Sequence, residues 1–232
     1  MGKKPIITID GPAGAGKSTV SRMLAERLSF VYLDTGALYR AVAFHLRGKG
    51  YSGNPDELPE FCRGIRVELK EGEKQLQVIV DGEDVTGKIR SEEIGLLASR
   101  ISAVPCVREV LLSIQRKAAA GGGVVAEGRD MGTVVFPDAE IKFFLDASPK
   151  VRAGRRYREL LEKGTGATLQ EVAGDLERRD RQDRERPVAP LAAAPDAVHI
   201  DSTQHNASQV VNIMMRVIEE RGHSPSQGRK CP

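Results

Sequence analysis

The sequence predicts an α/β fold, with a central parallel sheet flanked by helices, a small antiparallel insert and a charged helical segment. Three observations predict it. The β-branched run PIITID (5–10) stops at a Gly-rich turn and is followed by apolar residues at helical spacing. Between residues 64 and 90 the periodicity changes to strict alternation. After residue 123 strand and helix patterns alternate again, the grammar of a helix-covered parallel sheet.

Pro5 to Asp10 reads as a buried strand, and Val20, Met23, Leu24 and Leu28 mark a helix from Lys17 to Leu28. A strand over Phe30–Leu33 and a helix over Gly36–Leu46 follow. Ile65, Val67 and Leu69, then Leu76, Val78 and Val80, alternate with polar residues around the turns KEGEK and DGED, which predicts a hairpin or three-stranded insert. Helices are expected over Ser91–Ala103 and Val107–Ala120, with Pro105 as the break between them. Val124–Ala126 and Ile141–Leu145 are the next strands, and residues 150–186 form two charged helices joined near KGTGAT. Ala197–Ile200 is a last strand. Val210, Ile213, Met214 and Val217 line a closing amphipathic helix, and residues 222–232 are expected to be a disordered tail.

Composition narrows the function. The 232 residues are 40% hydrophobic and 29% charged, as in soluble globular domains. A net charge of +3 is too small to require nucleic acid, and 4% aromatics with no Trp leave no stacking platform for single strands. Cys62, Cys106 and Cys231 form no C-x-x-C pair, which argues against a disulfide framework or zinc site and for a reducing cytosol. The opening MGKKPIITIDG is too short in apolar residues for a secretory signal, and no run is long enough to span a membrane. A single cytoplasmic domain is expected.

Gly11 to Ser18 (GPAGAGKS) matches G-x-x-x-x-G-K-[ST] between a strand and a helix. Glycines let successive backbone N–H groups surround a phosphate, and Lys17 adds a mobile charge for the β- and γ-phosphates. Ser18 offers an oxygen to Mg²⁺, and the helix N-terminus faces the same anion. Gly11, Pro12, Ala13, Gly14, Ala15, Gly16, Lys17, Ser18 and Thr19 are therefore the candidate ATP-binding residues. The chain has no N/T-K-x-D guanine reader, and VVAEG (124–128) imitates a motor ATPase's Mg²⁺-holding acid only weakly, through Glu127. These absences favour a kinase of small phosphorylated or hydroxylated substrates.

Arg40, in DTGALYR (34–40), and Arg129, in EGRDMG (127–132), both follow predicted strands at the end where open parallel sheets bind ligands. Guanidinium suits a bidentate grip on phosphate. Residues 152–186 hold nine Arg, Lys163 and eight acids, an excess of 10 − 8 = +2. Most of these residues read as solvated i,i+4 pairs, with RDRQDRER (179–186) the inward cluster of a mobile lid. Ligand chemistry needs none of the four His residues. His45 and His199 read as flanking the core, and His205 and His223 as surface residues.

GPAGAGKST (11–19), DTGALYR (34–40), EGRDMGTVVFPDA (127–139) and VAPL (188–191) resemble the bacterial-type cytidylate kinases, P-loop nucleoside monophosphate kinases acting on CMP and dCMP. The similarity runs over roughly residues 5–220, and GRDMGTVVFPDA is more specific than the phosphate loop. The resemblance implies a P-loop kinase fold with an antiparallel insert in the monophosphate-binding part and a helical lid. It implies core regions near 1–34, 105–150 and 188–221, a monophosphate-binding part near 35–104 and a lid near 151–187, within one kinase domain over 1–221. It further implies transfer from ATP·Mg²⁺ to CMP or dCMP, by a monomer with no nucleic-acid or membrane partner. Lys17, Arg179 and Arg186 would then be catalytic. Arg40 and Arg129, with Asp34 and Thr35 beside them, would hold the acceptor phosphate. Ser99, Arg108 and Asp130 would read cytosine, and Asp183 would meet the ribose. Pro187 stands where the family commonly has Glu or Ala, and Gln182 where some members have Arg. The alternatives are another acceptor (UMP, AMP or a metabolite hydroxyl) or a nucleotide-switched binding module.

Overall fold

In the computed structural model, which describes residues 3–72, 76–162 and 164–223, the strand–turn–helix opening forms as the sequence predicts. Strand β1 (Ile6–Asp10) is followed by helix α1 (Lys17–Leu28), β2 (Val31–Asp34) and α2 (Thr35–Gly48). A short 3₁₀ turn over Pro55–Glu57 leads into α3 (Leu58–Gly64), which the sequence reading did not anticipate. Its seven residues carry only Leu58 and Cys62 as buried positions, too few to print a helical period.

The insert is a three-stranded antiparallel sheet of β3 (Val67–Lys70), β4 (Gln77–Val80) and β5 (Glu83–Asp84). The predicted KEGEK turn falls partly on 73–75, outside the described residues. Helix α4 spans Glu92–Ile101 and α5 spans Pro105–Ala118. The helices are broken at 102–104 as expected beside Pro105, which is itself the first residue of α5, where proline loses no helical hydrogen bond.

Strand β6 runs from Val124 to Gly128, two residues beyond the predicted end, and so carries Glu127 within the sheet. A single π-type turn over Met131–Val135, unforeseen from sequence, leads to β7 (Ile141–Asp146). Helices α6 (Pro149–Glu162) and α7 (Leu169–Glu185) follow, the second opened by a capping box between Thr168 and Glu171. Strand β8 (Val198–Asp201) and α8 (Ala207–Glu220) complete the described fold. His199 on β8 is exposed, its ring 5.4 Å from that of Phe144, and does not flank the core as expected. The predicted tail lies outside the described residues from 224 onward. Among the described residues no helix is long and apolar enough to cross a membrane.

The other five strands form one parallel sheet in the order β2-β6-β1-β7-β8. Ile7, Ile9, Phe143 and Leu145 are fully buried in one core shared with α1 and α8. A second core joins α2, α4 and α5 to the insert through Leu38, Val42, Leu46, Ile94 and Leu111. The chain reverses direction across the sheet at β1 and β6, and a ligand crevice is expected outside the carboxyl ends of such a pair.

Candidate active site

The phosphate loop leaves β1 through Gly11, whose φ is 148°; a Cβ there would lie 2.0 Å from the Leu145 carbonyl oxygen. Only glycine fits. Gly16 precedes α1 in a left-handed conformation, and no side chain caps the helix, so the first-turn N–H groups face the loop's interior. Lys17 is buried and donates from Nζ to the Pro12 carbonyl at 2.7 Å. Burial first, then the neighbouring Arg129 charge, brings its pKa down to about 7. An anion seated in the loop restores the charged form by direct attraction.

The loop opens into a cleft of about 790 Å³ at the carboxyl ends of β1, β2 and β6. Glu127, at the end of β6, accepts from Ser18 Oγ and Tyr32 OH at 2.7 Å each, both on Oε1. Its Oε2 is buried without a partner, and burial together with Asp34 pushes its pKa up. Thr35 Oγ1 donates to the Glu127 carbonyl at 2.6 Å, tying α2 to β6. A serine hydroxyl and a carboxylate with a spare oxygen are hard donors that suit Mg²⁺, which usually keeps waters and phosphate oxygens as its other ligands.

Across the cleft, Asp34 caps α2 by accepting from the Ala37 N–H at 2.9 Å, and its other oxygen accepts from Arg40 Nη2 at 2.8 Å. Arg40 is thereby aimed into the cleft. Arg129 Nε donates to Asp183 of α7 at 2.8 Å. Burial opposes both charges, but Asp183 with Glu127 and Asp180 holds Arg129 above its ordinary pKa, and Arg129 with Arg179 and Arg186 holds Asp183 below its own. Arg179 is half-buried with no carboxylate bonded to it; desolvation and the Arg129 charge bring its pKa down to about 10, still cationic at neutral pH. Arg186 donates to Ser102 Oγ at 3.0 Å and to the Ala189 carbonyl at 2.6 Å, with Nη2 3.5 Å from Asp130 Oδ1. Arg156 of α6 pairs with Glu92 of α4, joining the two walls.

Several buried polar atoms of the cleft make no hydrogen bond within the protein: Arg40 Nε, Ser99 Oγ, Glu127 Oε2, Arg179 Nε and Arg186 Nη2. Each such group costs about 1–3 kcal/mol unless something pairs with it. A polyanionic ligand with a hydrogen-bonding base would satisfy them together.

Asp10 was not foreseen. It ends β1 and is buried, and its two oxygens accept from the Met131 and Gly132 N–H groups at 2.8 Å each. It thus fixes the turn that carries Arg129 and Asp130 against the root of the phosphate loop. Burial raises its pKa from 3.8 to about 6, against the two N–H bonds; the Asp130 charge adds to the rise and Lys17 opposes it. The folded protein therefore binds this proton more tightly than the unfolded chain. The stabilisation is complete below pH 3.8 and is lost as pH rises through about 6. Relative to Asp10→Asn, the wild type should gain up to ~3 kcal/mol on going from pH 7 to pH 4, read from urea midpoints. A pH-independent difference would contradict this.

The structure brings most of the predicted site residues together. Ala13 to Thr19, Asp34, Thr35, Arg40, Ser99, Arg129, Asp130, Arg179, Asp183 and Arg186 all line the cleft. Gly11 and Pro12 do not; one passes under β7 and the other supplies Lys17's acceptor. Arg108 also stands outside the lining, behind Asp130, with which it pairs, and donates to the Ser102 carbonyl at 3.2 Å. The 179–186 cluster divides by helix face. Arg179, Asp180, Asp183 and Arg186 turn inward, while Arg181 and Arg184 are exposed. Glu127 and Asp10 share one signal, an acid closing an apolar strand, that could have marked both.

Comparison with known proteins agrees with the geometry. A family model described as cytidylate kinase matches residues 7–220. A cytidylate kinase of Citrifermentans bemidjiense is 51% identical over 217 residues, covering 93% of each chain. One of Azotobacter vinelandii is 46% identical over 95% of this chain and 98% of its own. An uncharacterized protein of Eubacterium ventriosum shares the fold, with a TM-score of 0.50 at 12% identity over 93% of this chain and 99% of its own. With a match that runs from β1 into the last turn of α8, the chain belongs to the cytidylate kinase family.

Proposed function

We propose that the protein transfers the γ-phosphoryl group of ATP to CMP or dCMP, giving ADP and the diphosphate. The observation that carries this reading is that one cleft is lined both by the phosphate loop and by Arg40, Arg129, Arg179 and Arg186. A cleft for one triphosphate needs no second cluster of cations; a cleft for two facing phosphates does. Residues 35–104 serve as the acceptor part, 151–187 as the lid and the remainder as the core.

The acceptor's phosphate has a second pKa near 6 and is already an anionic nucleophile at neutral pH, so no general base is needed. The residues' work is positioning and neutralisation of charge. Lys17 and the loop N–H groups hold the donor's phosphates. Arg40 and Arg129 hold the acceptor's, and Arg179 meets the group in transit. Ser18 and Glu127 would hold Mg²⁺, which when bound neutralises charge on the donor's phosphates. Asp130 accepts from the exocyclic amine of cytosine, where uracil presents a carbonyl instead.

An ADP-release assay with CMP, dCMP, UMP and AMP tests the reading. CMP and dCMP should support turnover, with UMP roughly a hundredfold lower in kcat/KM because it leaves a buried acceptor unpaired. Turnover with no monophosphate would overturn the proposed reaction. A preference for UMP would overturn the cytosine assignment alone.

A further inference from the structure

The lid helices and the phosphate loop share a buried ion pair whose contacts converge on a single loop residue. Arg152 of α6 and Asp180 of α7 pair with each other and are 4% and 3% exposed. Arg152 Nη1 donates to the Ala13 carbonyl at 3.0 Å, and Asp180 Oδ1 accepts from the Ala13 N–H at 3.3 Å. Both backbone groups of Ala13 are thus taken by the lid pair. The Ala13 methyl is buried in the lid's own apolar cluster with Ala153, Leu160, Val172 and Leu176. Arg152 is in turn held by its Nε, which donates to the Ala147 carbonyl at 2.9 Å.

Peptide geometry gives these contacts a consequence. In a planar trans peptide the carbonyl of one residue and the N–H of the next point in opposite directions. Holding the Ala13 carbonyl toward Arg152 therefore turns the Gly14 N–H away from the lid, toward the cleft that Gly14 lines. One helical turn along α6, Arg155 Nη1 donates to the Ala15 carbonyl at 3.3 Å, joined there by Ser202 Oγ at 3.2 Å. That sets the Gly16 N–H by the same rule. Alternate carbonyls are pulled outward so that the intervening N–H groups converge on one anion.

We propose that Arg152, braced by Asp180, is a positioning residue that orients the phosphate loop's N–H donors for the donor nucleotide. The lid thereby governs donor affinity from its base as well as by closing over the cleft. The inference rests on the reading that ATP occupies the loop. It requires no transfer to CMP.

The test is calorimetric titration of the full chain with ATP and MgCl₂, and separately with CMP, for wild type, Arg152→Lys and Asp180→Asn. Lysine keeps the charge beside Asp180 but lacks the fork that reaches two carbonyls at once. A misdirected N–H should raise the ATP Kd about tenfold or more, with the CMP Kd within about twofold of wild type. Circular dichroism identifies folded variants, and Asp180→Asn, close in shape and still able to accept from Ala13, carries the test if Arg152→Lys does not fold. A merely structural pair would lower the melting temperature and leave both Kd values unchanged. That result, equal weakening of ATP and CMP, or failure of both variants to fold would overturn the proposal. Selective loss of ATP binding in a protein that never phosphorylates CMP would uphold the clamp while refuting the proposed reaction.

Discussion

Lys17→Ala should lower kcat roughly 10²–10³-fold, the usual loss when one preorganised charge at a reacting centre is removed. Lys17 sits at the first turn of α1 with its ammonium on the Pro12 carbonyl, among loop N–H groups that hold fixed positions. Its charge is costly before substrate arrives, since burial and Arg129 draw its pKa from 10.5 to about 7. That cost makes the residue effective. A phosphate entering the loop recovers the lost stabilisation, and recovers more as negative charge spreads in the transition state. Because the ordinary pKa is depressed on folding, the unfolded chain binds this proton more tightly between pH 7 and 10.5. The alanine variant should therefore melt no lower than wild type at pH 7. A coupled ADP assay alongside a thermal melt measures both, and retained turnover would contradict the assignment.

The second large effect is expected at Arg179. The half-buried Arg179 lines the cleft with its Nε enclosed and unpartnered, whereas Arg129 is bound to Asp183 and Arg186 is occupied by Ser102 and Ala189. Of these three cations Arg179 is thus the freest to meet charge appearing on the transferred group. Arg179→Ala should reduce kcat by roughly 10³-fold, in the range found for arginines that complete a phosphoryl-transfer site from outside the phosphate loop. CMP affinity should change far less. Arg181, two residues along the same helix, is exposed and pairs with Glu177 at 3.2 Å. Arg181→Ala should leave kcat within about twofold, as surface i,i+4 pairs contribute little. Steady-state kinetics of both variants would decide it. Equal losses would mean that the lid acts through net charge and not through one placed arginine.

The contrast between Arg179 and Arg181 also shows where sequence was informative. The apolar residues Val172 and Leu176 define the buried face of α7, and Arg179, Asp180 and Asp183 fall on it by helical spacing. The charge run alone did not separate inward from outward arginines. The phosphate loop and the DTGALYR and EGRDMG segments were legible because glycine spacing and strand ends restrict what such residues can do. Asp10 was not, since its role depends on Met131 and Gly132, which lie 121 and 122 residues away. Arg152 and Asp180 were hidden for a different reason. They are two charges in a segment dense with charges, and their shared contact with Ala13 exists only after the sheet has placed α6 beside the loop. Helix α3 escaped because two buried residues cannot establish a period.

The account depends on two anionic nucleotides meeting end to end in one cleft. Calorimetric titration with cytidine and adenosine joined through a pentaphosphate measures this directly. If the phosphate loop and the Arg40–Arg129 cluster face each other across a shared line of transfer, the linked compound should bind at least ~100-fold more tightly than ATP, as a compound spanning both halves of the transition state. Binding no tighter than that of ATP, with CMP still able to enter beside it, would contradict the account.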